Sequence, residues 1–370
     1  MTIPLVDVRA QYAPLRAALL ARIAAVVDSG RFILGPNVEG LEREAAAFVG
    51  VGETVGVANG TDAIELVLEA LGVGSGDEVI APAFTFYATV EPIVRRGATP
   101  VFCDVDPVSL TLDPVDVAAR VSRRTRAIIA VHLFGRPAPL GDLPGAIPVI
   151  EDAAQAFGAR LDGRRVGSIG AAATFSFFPT KNLFALGDGG LVATSDPQLA
   201  ETVRLLRFHG SRDKQTFELV GRNSRLDEIQ AAALRLFLPE VDGWNQARRE
   251  AAARYAELGL GEVCELPEDE PGHVYHAYVV RTPARDSVRA ALGDAGIGCS
   301  AYYARPLHLQ PALASLGYGP GSLGETERAA AENLALPLWA GIGAAEQERV
   351  VAVVRRALAG RRARAAVRSS

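Results

Sequence analysis

A chain of 370 residues that is 49% hydrophobic carries enough apolar material for a large core with a smaller one attached. Its 38 Lys plus Arg against 43 Asp plus Glu leave a net charge of −5, and aromatics make up only 6%, so no polyanion-binding face or RNA-stacking platform is indicated. The three cysteines (Cys103, Cys264, Cys299) are scattered, the five histidines fall at no metal-ligand spacing, no apolar run spans a bilayer and the opening MTIPLVDVRAQY is not a signal peptide, so a soluble cytoplasmic protein without disulfides or metal is expected.

The first periodic element is 62–71, DAIELVLEAL. Ile64, Val67, Leu68 and Leu71 stand at i, i+3, i+4 and i+7 and predict an amphipathic helix. Apolar runs bounded by turn residues then follow at 77–83, 99–105, 125–135, 147–153, 171–178 and 189–195, and they predict buried strands. Helical stretches near 86–96, 114–122 and 197–207 separate several of them. That rhythm predicts a mainly parallel sheet covered by helices on both faces. From about residue 225 the pattern changes. Residues 224–258 form a long, charged, helical run in which Pro239 and Gly243 allow a break. HVYHAYVVR (273–281) alternates like a strand, and 285–297 and 344–360 predict helices, the latter stopped by Gly360. The expected organisation is a large domain over 1–240, a smaller α+β domain over 241–360 and a disordered tail over 361–370.

In an open parallel sheet, ligands bind beyond the carboxyl ends of the strands. Three segments put polar residues there. In VANGTDAIEL (57–66), Asn59, Gly60, Thr61 and Asp62 sit where a helix begins, which favours an anion. A plain N-cap by Thr61 or Asp62, or an Asn-Gly turn, explains the same residues. In PVIEDAAQAFGA (148–159) an apolar run ends in Glu151 and Asp152, where a carboxylate either faces a ligand or caps the next helix. In FSFFPTKNLFALGDGG (175–190), Ser176 ends a strand and Lys181 follows among Phe177, Phe178, Leu183 and Phe184. Lysine occurs in the chain only at Lys181 and Lys214. Arginine supplies surface charge elsewhere, but it cannot supply a primary amine whose pKa falls on burial and which bonds covalently to a carbonyl. An anion cradle, a carboxylate and a buried amine together meet the requirements of pyridoxal phosphate.

These segments, with GRNSRLDEIQAA (221–232), resemble the signature segments of the DegT/DnrJ/EryC1/StrS sugar aminotransferases, from about Pro4 to about Val354. The resemblance implies fold type I, the aspartate aminotransferase-like architecture: a large domain with a mainly parallel seven-stranded sheet and a smaller α+β domain, with the N-terminal residues packed on the latter. It implies that Lys181 is the catalytic lysine, bonded to pyridoxal 5′-phosphate. Asp152 pairs with the ring nitrogen, Gln155 lies near the ring hydroxyl, Gly60, Thr61 and Ser176 cradle the phosphate, and Phe86 stacks on the ring. Asn223 matches an asparagine that reaches the cofactor phosphate of the neighbouring subunit, which implies a homodimer with shared active sites.

The implied reaction moves an amino group from L-glutamate or glutamine to a keto group of a nucleotide-linked deoxysugar. Lysine at position 181, where dehydrating relatives carry histidine, favours transamination. In AYYARPLHLQP, Tyr302, Tyr303 and Arg305 stand where a His-Tyr pair is usual; Tyr303 and His308 are the substrate candidates, with a packed loop histidine as the other account of His308. Residues 29–44 are similar to members that aminate 3-keto dTDP-6-deoxyhexoses. A 4-keto or uronic-acid nucleotide sugar, and a non-catalytic regulatory protein that binds the cofactor, are the alternatives.

Overall fold

The computed structural model describes residues 2–359 in full and residues 360–368 in backbone only. In chain order the strands are β1 (Glu53–Val57), β2 (Glu78–Pro82), β3 (Thr99–Cys103), β4 (Thr125–Val131), β5 (Val149–Asp152), the ribbon strands β6 (Arg160–Leu161) and β7 (Arg164–Arg165), then β8 (Ala172–Ser176), β9 (Gly190–Thr194), β10 (Tyr278–Arg281) and β11 (Asn333–Leu336). Seven of them form one sheet in the order β1-β9-β8-β5-β4-β2-β3. β9 runs antiparallel to both of its neighbours, and the other pairs are parallel. The expected mainly parallel sheet of seven strands is therefore present.

Six of its strands lie within the apolar runs read from the sequence. β1 was not among them. It is five residues long and contains Gly56, which weakens a strand pattern; a Cβ there would meet Leu226 at 3.2 Å, so the glycine serves packing. The helix Gly60–Ala70 follows β1 and buries Ile64, Val67 and Leu68, as its period requires. The stretch 86–96 is not one helix but a 3₁₀ turn, Tyr87–Thr89, followed by Glu91–Arg95 with Pro92 in its first turn. Helices Pro114–Arg120 and Pro197–Arg207 begin with proline and are capped by Asp113 and Asp196. The long run after 225 breaks at Pro239: helix Glu228–Phe237, a 3₁₀ turn, then helix Val241–Glu257, which continues through Gly243.

Of the strand expected over 273–281, only Tyr278–Arg281 forms, paired antiparallel with Asn333–Leu336. The carbonyls just before it are taken by side chains instead. Arg249 Nη1 donates to those of Glu270 and His273, both at 2.9 Å, and Arg248 Nη1 donates to that of Tyr275 at 3.3 Å. A backbone satisfied in this way needs no strand partner.

Two helices near the start, Arg16–Ser29 and Pro36–Val49, were not anticipated. The second has no local side-chain cap. Buried Glu228 does that work from the far side, accepting from the backbone N–H groups of Gly35 (2.9 Å), Asn37 (3.0 Å) and Val38 (2.7 Å). The very N-terminus joins the C-terminal third: Ile3 N donates to Gly296 O at 3.0 Å and Gly298 N to Ile3 O at 2.8 Å. Ile3 accordingly lies in a core cluster with Tyr255, Val280, Leu334 and Val350, separate from the clusters on the large sheet. The last helix is Ala344–Arg368, continuous in backbone through Gly360; the tail expected over 361–370 lies outside the residues described in full. Among the described residues no helix is long and apolar enough to cross a membrane.

Candidate active site

β5 delivers two adjacent carboxylates, and the strand period sends them to opposite faces of the sheet. Glu151 is wholly buried and satisfied by structure: it accepts from the N–H groups of Gly167, Ile169 and Gly170 at 2.7–2.8 Å and lies 3.0 Å from His132 Nε2. His132 Nδ1 accepts from Ala138 N, so the imidazole is the Nε2–H tautomer and donates to Glu151. Burial pushes the Glu151 pKa up, but the histidine and the backbone donors outweigh it and hold the pKa below the ordinary value. Asp152 is the cleft-side carboxylate. Its Oδ2 accepts from Thr89 Oγ1 at 2.7 Å, and Thr85 Oγ1 lies 3.0 Å behind Thr89. Its Oδ1 accepts from Ala154 N at 3.2 Å. Burial raises its pKa, against the Thr89 and Ala154 hydrogen bonds and the charge of Lys181.

Lys181 lies on the loop between β8 and β9. The loop is closed by Lys181 N donating to Phe178 O at 2.9 Å and Ala185 N to Phe177 O at 2.7 Å. Lys181 itself is half-buried. Burial lowers its pKa to about 8, with Asp152 pulling it up. An amine near pH 8 exists partly as the free base at neutral pH, which a proton-transfer group requires.

Gln155 follows Asp152 by three residues. Its Oε1 accepts from Phe134 N at 2.7 Å, and its Nε2 donates to Tyr303 Oη at 3.1 Å. The Tyr303 ring centroid is 5.9 Å from that of Phe86, whose side chain is 56% exposed and open to the cleft. Lys181, Asp152, Gln155, Tyr303 and Phe86, far apart in sequence, are thereby linked at the carboxyl ends of the strands.

The anion cradle is built at the start of helix Gly60–Ala70. The N-cap is Asn59, whose Oδ1 accepts from Asp62 N at 2.8 Å; neither Thr61 nor Asp62 caps the helix. Among the described residues the N–H groups of Gly60 and Thr61 find no acceptor. A Cβ on Gly60 would come within 2.8 Å of Ser176 Cβ, so glycine here lets the end of β8 close against the helix start. Two free donors at a helix N-terminus, beside a serine hydroxyl and across from a lysine and a buried aspartate, fit the phosphate, aldehyde and ring nitrogen of pyridoxal phosphate.

The model of the DegT/DnrJ/EryC1/StrS aminotransferase family matches residues 15–355. The chain belongs to this family. A Geobacillus stearothermophilus protein named pleiotropic regulatory protein is 46% identical over 361 residues, 95% of this chain and 97% of that one. The dTDP-3-amino-3,4,6-trideoxy-alpha-D-glucose transaminase of Streptomyces venezuelae is 44% identical over 364 residues, 95% of each chain. The crystal structure of S. venezuelae DesV, in complex with a ketimine intermediate, superposes with a TM-score of 0.92 at 44% identity and covers 96% of this chain and 98% of that one. The fold is thus fold type I, as the resemblance implied.

Two family-derived expectations fall outside the cluster. Asn223 is exposed beside the end of β1, where Ser224 Oγ accepts from Ala58 N at 3.2 Å; among the described residues its side chain forms no hydrogen bond. His308 is 1% exposed. Its Nε2 lies 3.1 Å from Glu327 Oε1, and its ring packs 6.5 Å from Phe102 and 6.3 Å from Tyr318. Leu307 N, donating to Ala83 O at 2.9 Å, pins this loop against the sheet. The surroundings are those of a packed loop histidine, the other account of His308, with Nδ1 buried and unpartnered among the described residues.

Three residues of this aminotransferase site escaped the sequence reading. Thr89 is a lone threonine in an apolar stretch and carries no local signal. Asn182 follows Lys181 and is buried. His276 ends the HVYH run; its Nδ1 is buried without a partner, and burial together with the nearby charge of Lys181 holds its pKa well below the ordinary value. The pairing of a second histidine with that run was the available clue.

Proposed function

We propose that this chain is a pyridoxal-phosphate-dependent aminotransferase that moves an amino group from L-glutamate, or glutamine, to a keto group of a nucleotide-linked deoxysugar. The 3-keto position of a dTDP-6-deoxyhexose is the favoured acceptor. The observation that carries this reading is the half-buried Lys181 amine, lowered to about pKa 8 and under the influence of buried Asp152. Pyridoxal phosphate, when bound, supplies carbanion stabilisation; the protein supplies position and electrostatics.

In this reading Lys181 bonds the cofactor and then carries the proton between the two carbon positions as base and acid. Asp152, held by Thr89, faces the ring nitrogen and keeps it protonated. Gln155 lies at the ring hydroxyl, Phe86 covers the ring face, and Gly60, Thr61 and Ser176 hold the phosphate. Tyr303, tethered to Gln155, stands where the sugar enters. Asn223, whose side chain has no hydrogen-bond partner among the described residues, completes the phosphate site of a second subunit, so the working unit is a homodimer with shared sites. The chain divides near residue 240, with the N-terminal residues in the smaller unit, and it works in the cytoplasm, where its three free cysteines persist.

The 3-keto preference is supported by the similarity to the S. venezuelae transaminase and by the segment 29–44. A regulatory reading has the name of the Geobacillus relative in its favour; the intact set of Lys181, Asp152 and Gln155 favours catalysis. The deciding experiment is the visible spectrum of the purified protein before and after L-glutamate, with borohydride reduction and peptide mapping. A yellow band that bleaches with glutamate and a reduced adduct on Lys181 are expected. A protein that stays colourless with added pyridoxal phosphate would overturn the reading. A panel of 3-keto, 4-keto and uronic-acid nucleotide sugars then sorts the acceptor.

A further inference from the structure

The loop that carries Lys181 does not hold itself in place. Its next residue, Asn182, is 1% exposed, and its Nδ2 donates to Asn245 Oδ1 at 2.6 Å and to Val274 O at 3.0 Å. Asn245, buried in helix Val241–Glu257, turns its own Nδ2 to Phe157 O at 3.0 Å. Phe157 lies two residues beyond Gln155. Gly158, beside it, is held at φ 88°, and a Cβ there would come within 2.6 Å of Asn245 Nδ2. Two side-chain amides thus bridge the lysine loop to the loop that follows Asp152 and carries Gln155, and the bridge is braced on one helix face. One turn on, Arg248 holds the carbonyl of Tyr275 beside Val274. No surface area or charge explains this arrangement. Buried amides cost free energy unless satisfied; here Asn182 Oδ1 has no partner among the described residues, so the pair is kept for the bonds its amide nitrogens make.

We infer that Asn245 is a positioning residue for Lys181, acting through Asn182 to fix the amine against the Asp152–Gln155 loop. The inference rests on Lys181 being the reacting amine. Holding the Asn182 backbone down keeps the neighbouring Lys181 in its half-buried position near Asp152. Release lets the loop lift the amine into solvent.

The two-lysine sequence allows a direct test on the full chain stripped of cofactor. Reductive methylation with labelled formaldehyde marks Lys181, Lys214 and the N-terminus, and NMR titration follows each amine. Exposed Lys214, with its Nζ 5.0 Å from the Phe208 ring centroid, reports an intact fold elsewhere. In the wild type the Lys181 signal is expected to titrate below an ordinary lysine, near pH 8. In Asn245→Leu, which keeps the branched side-chain shape and loses both amide bonds, the midpoint moves up toward the roughly 10.4 of a solvated lysine. In Asn182→Ala it also moves up, because the residue next to Lys181 loses its bonds to both Asn245 and Val274 O. Gln347→Ala, a matched loss of a buried amide that donates to Ala251 O at 2.7 Å in the smaller core, leaves the Lys181 midpoint unchanged. A Lys181 midpoint at the wild-type value in a folded Asn245→Leu or Asn182→Ala protein would overturn the inference, as would an equal shift in Gln347→Ala. Failure of the cofactor reading is a separate result: no reducible adduct on Lys181 of the unmodified wild type.

Discussion

Glu151 and Asp152 are consecutive residues of one strand, both buried carboxylates, and they do opposite things. Glu151 has three backbone donors and an imidazole, and its charge is fully absorbed by the face of the sheet it points into. Asp152 has one hydroxyl and one long backbone bond, and its remaining partner is an amine across the cleft. A saturated buried charge is architecture. An under-satisfied one, raised in pKa beside a lysine lowered in pKa, leaves interaction free energy to be taken up by a ligand.

The largest expected break in that comparison is on the cleft side. Lys181→Ala removes the amine proposed to bond the cofactor and carry the proton, so turnover should fall to background, by about 10⁴-fold or more. Thermal unfolding should show the variant at least as stable as the wild type. Activity within tenfold of wild type would refute the mechanism.

On the other face the effects should invert. Glu151→Ala strands the His132 Nε2–H and three backbone donors, and about 3–5 kcal/mol of stability should be lost, read as a lowered denaturation midpoint. Asp152→Asn should leave the cofactor-free protein as stable as the wild type or slightly more so, while cofactor affinity drops. If the two variants lose equal stability, the distinction between the faces is wrong.

The pH dependence sharpens the same contrast. Glu151 has a folded pKa below its unfolded value. Its contribution is therefore present above roughly pH 4.3 and is lost as pH falls through the lower folded value. Lys181 is a base whose folded pKa, about 8, lies below its unfolded one. The unfolded chain binds the extra proton, so this residue penalises folding below pH 8, and the penalty disappears as pH rises from about 8 to roughly 10.4. Lys181→Met should thus stabilise the cofactor-free protein at pH 7 by about 1–2 kcal/mol, less than the full shift implies because the amine is partly open to solvent. The gain should fade as pH rises from about 8 and vanish only above roughly pH 10.4, where wild-type Lys181 becomes neutral in both states. Denaturant midpoints across pH decide this; a pH-independent gain would point to packing alone.

Much of this was legible in the sequence, for identifiable reasons. The strands β2 to β5, β8 and β9 are continuous apolar runs, as doubly covered strands must be. Lys181 stood out because the chain has almost no other lysine. What failed was non-local. Helix Pro36–Val49 is capped by Glu228, about 190 residues away, so no local cap could announce it. The sequence puts Glu151 beside Asp152 but cannot say which one the loop at 167–170 will saturate. His308 depended on Glu327 and Tyr318, which only the folded loop brings to it. Residues 273–277 alternate like a strand, yet Arg248, Arg249 and Asn182 took their carbonyls first.

The smallest expected effect tests whether the cleft ends at the boundary of one chain. The Asn223 side chain is exposed and, among the described residues, without a hydrogen bond, in a segment whose neighbours are tightly held: Arg222 on Glu65 and Glu69, Ser224 on Ala58. A neutral amide left free among anchored residues is poised for a group the single chain does not contain. Asn223→Asp should leave monomer stability unchanged, since no intrachain bond is broken. If the side chain meets phosphate across a dimer, the new carboxylate adds repulsion at a partly exposed site and should weaken cofactor retention by about tenfold. The loss should shrink in high salt, because screening acts on such a pair. Asn223→Ala, which removes a hydrogen bond without adding charge, should weaken retention less and without salt dependence. Equal, salt-independent retention in both variants would confine the site to a single subunit.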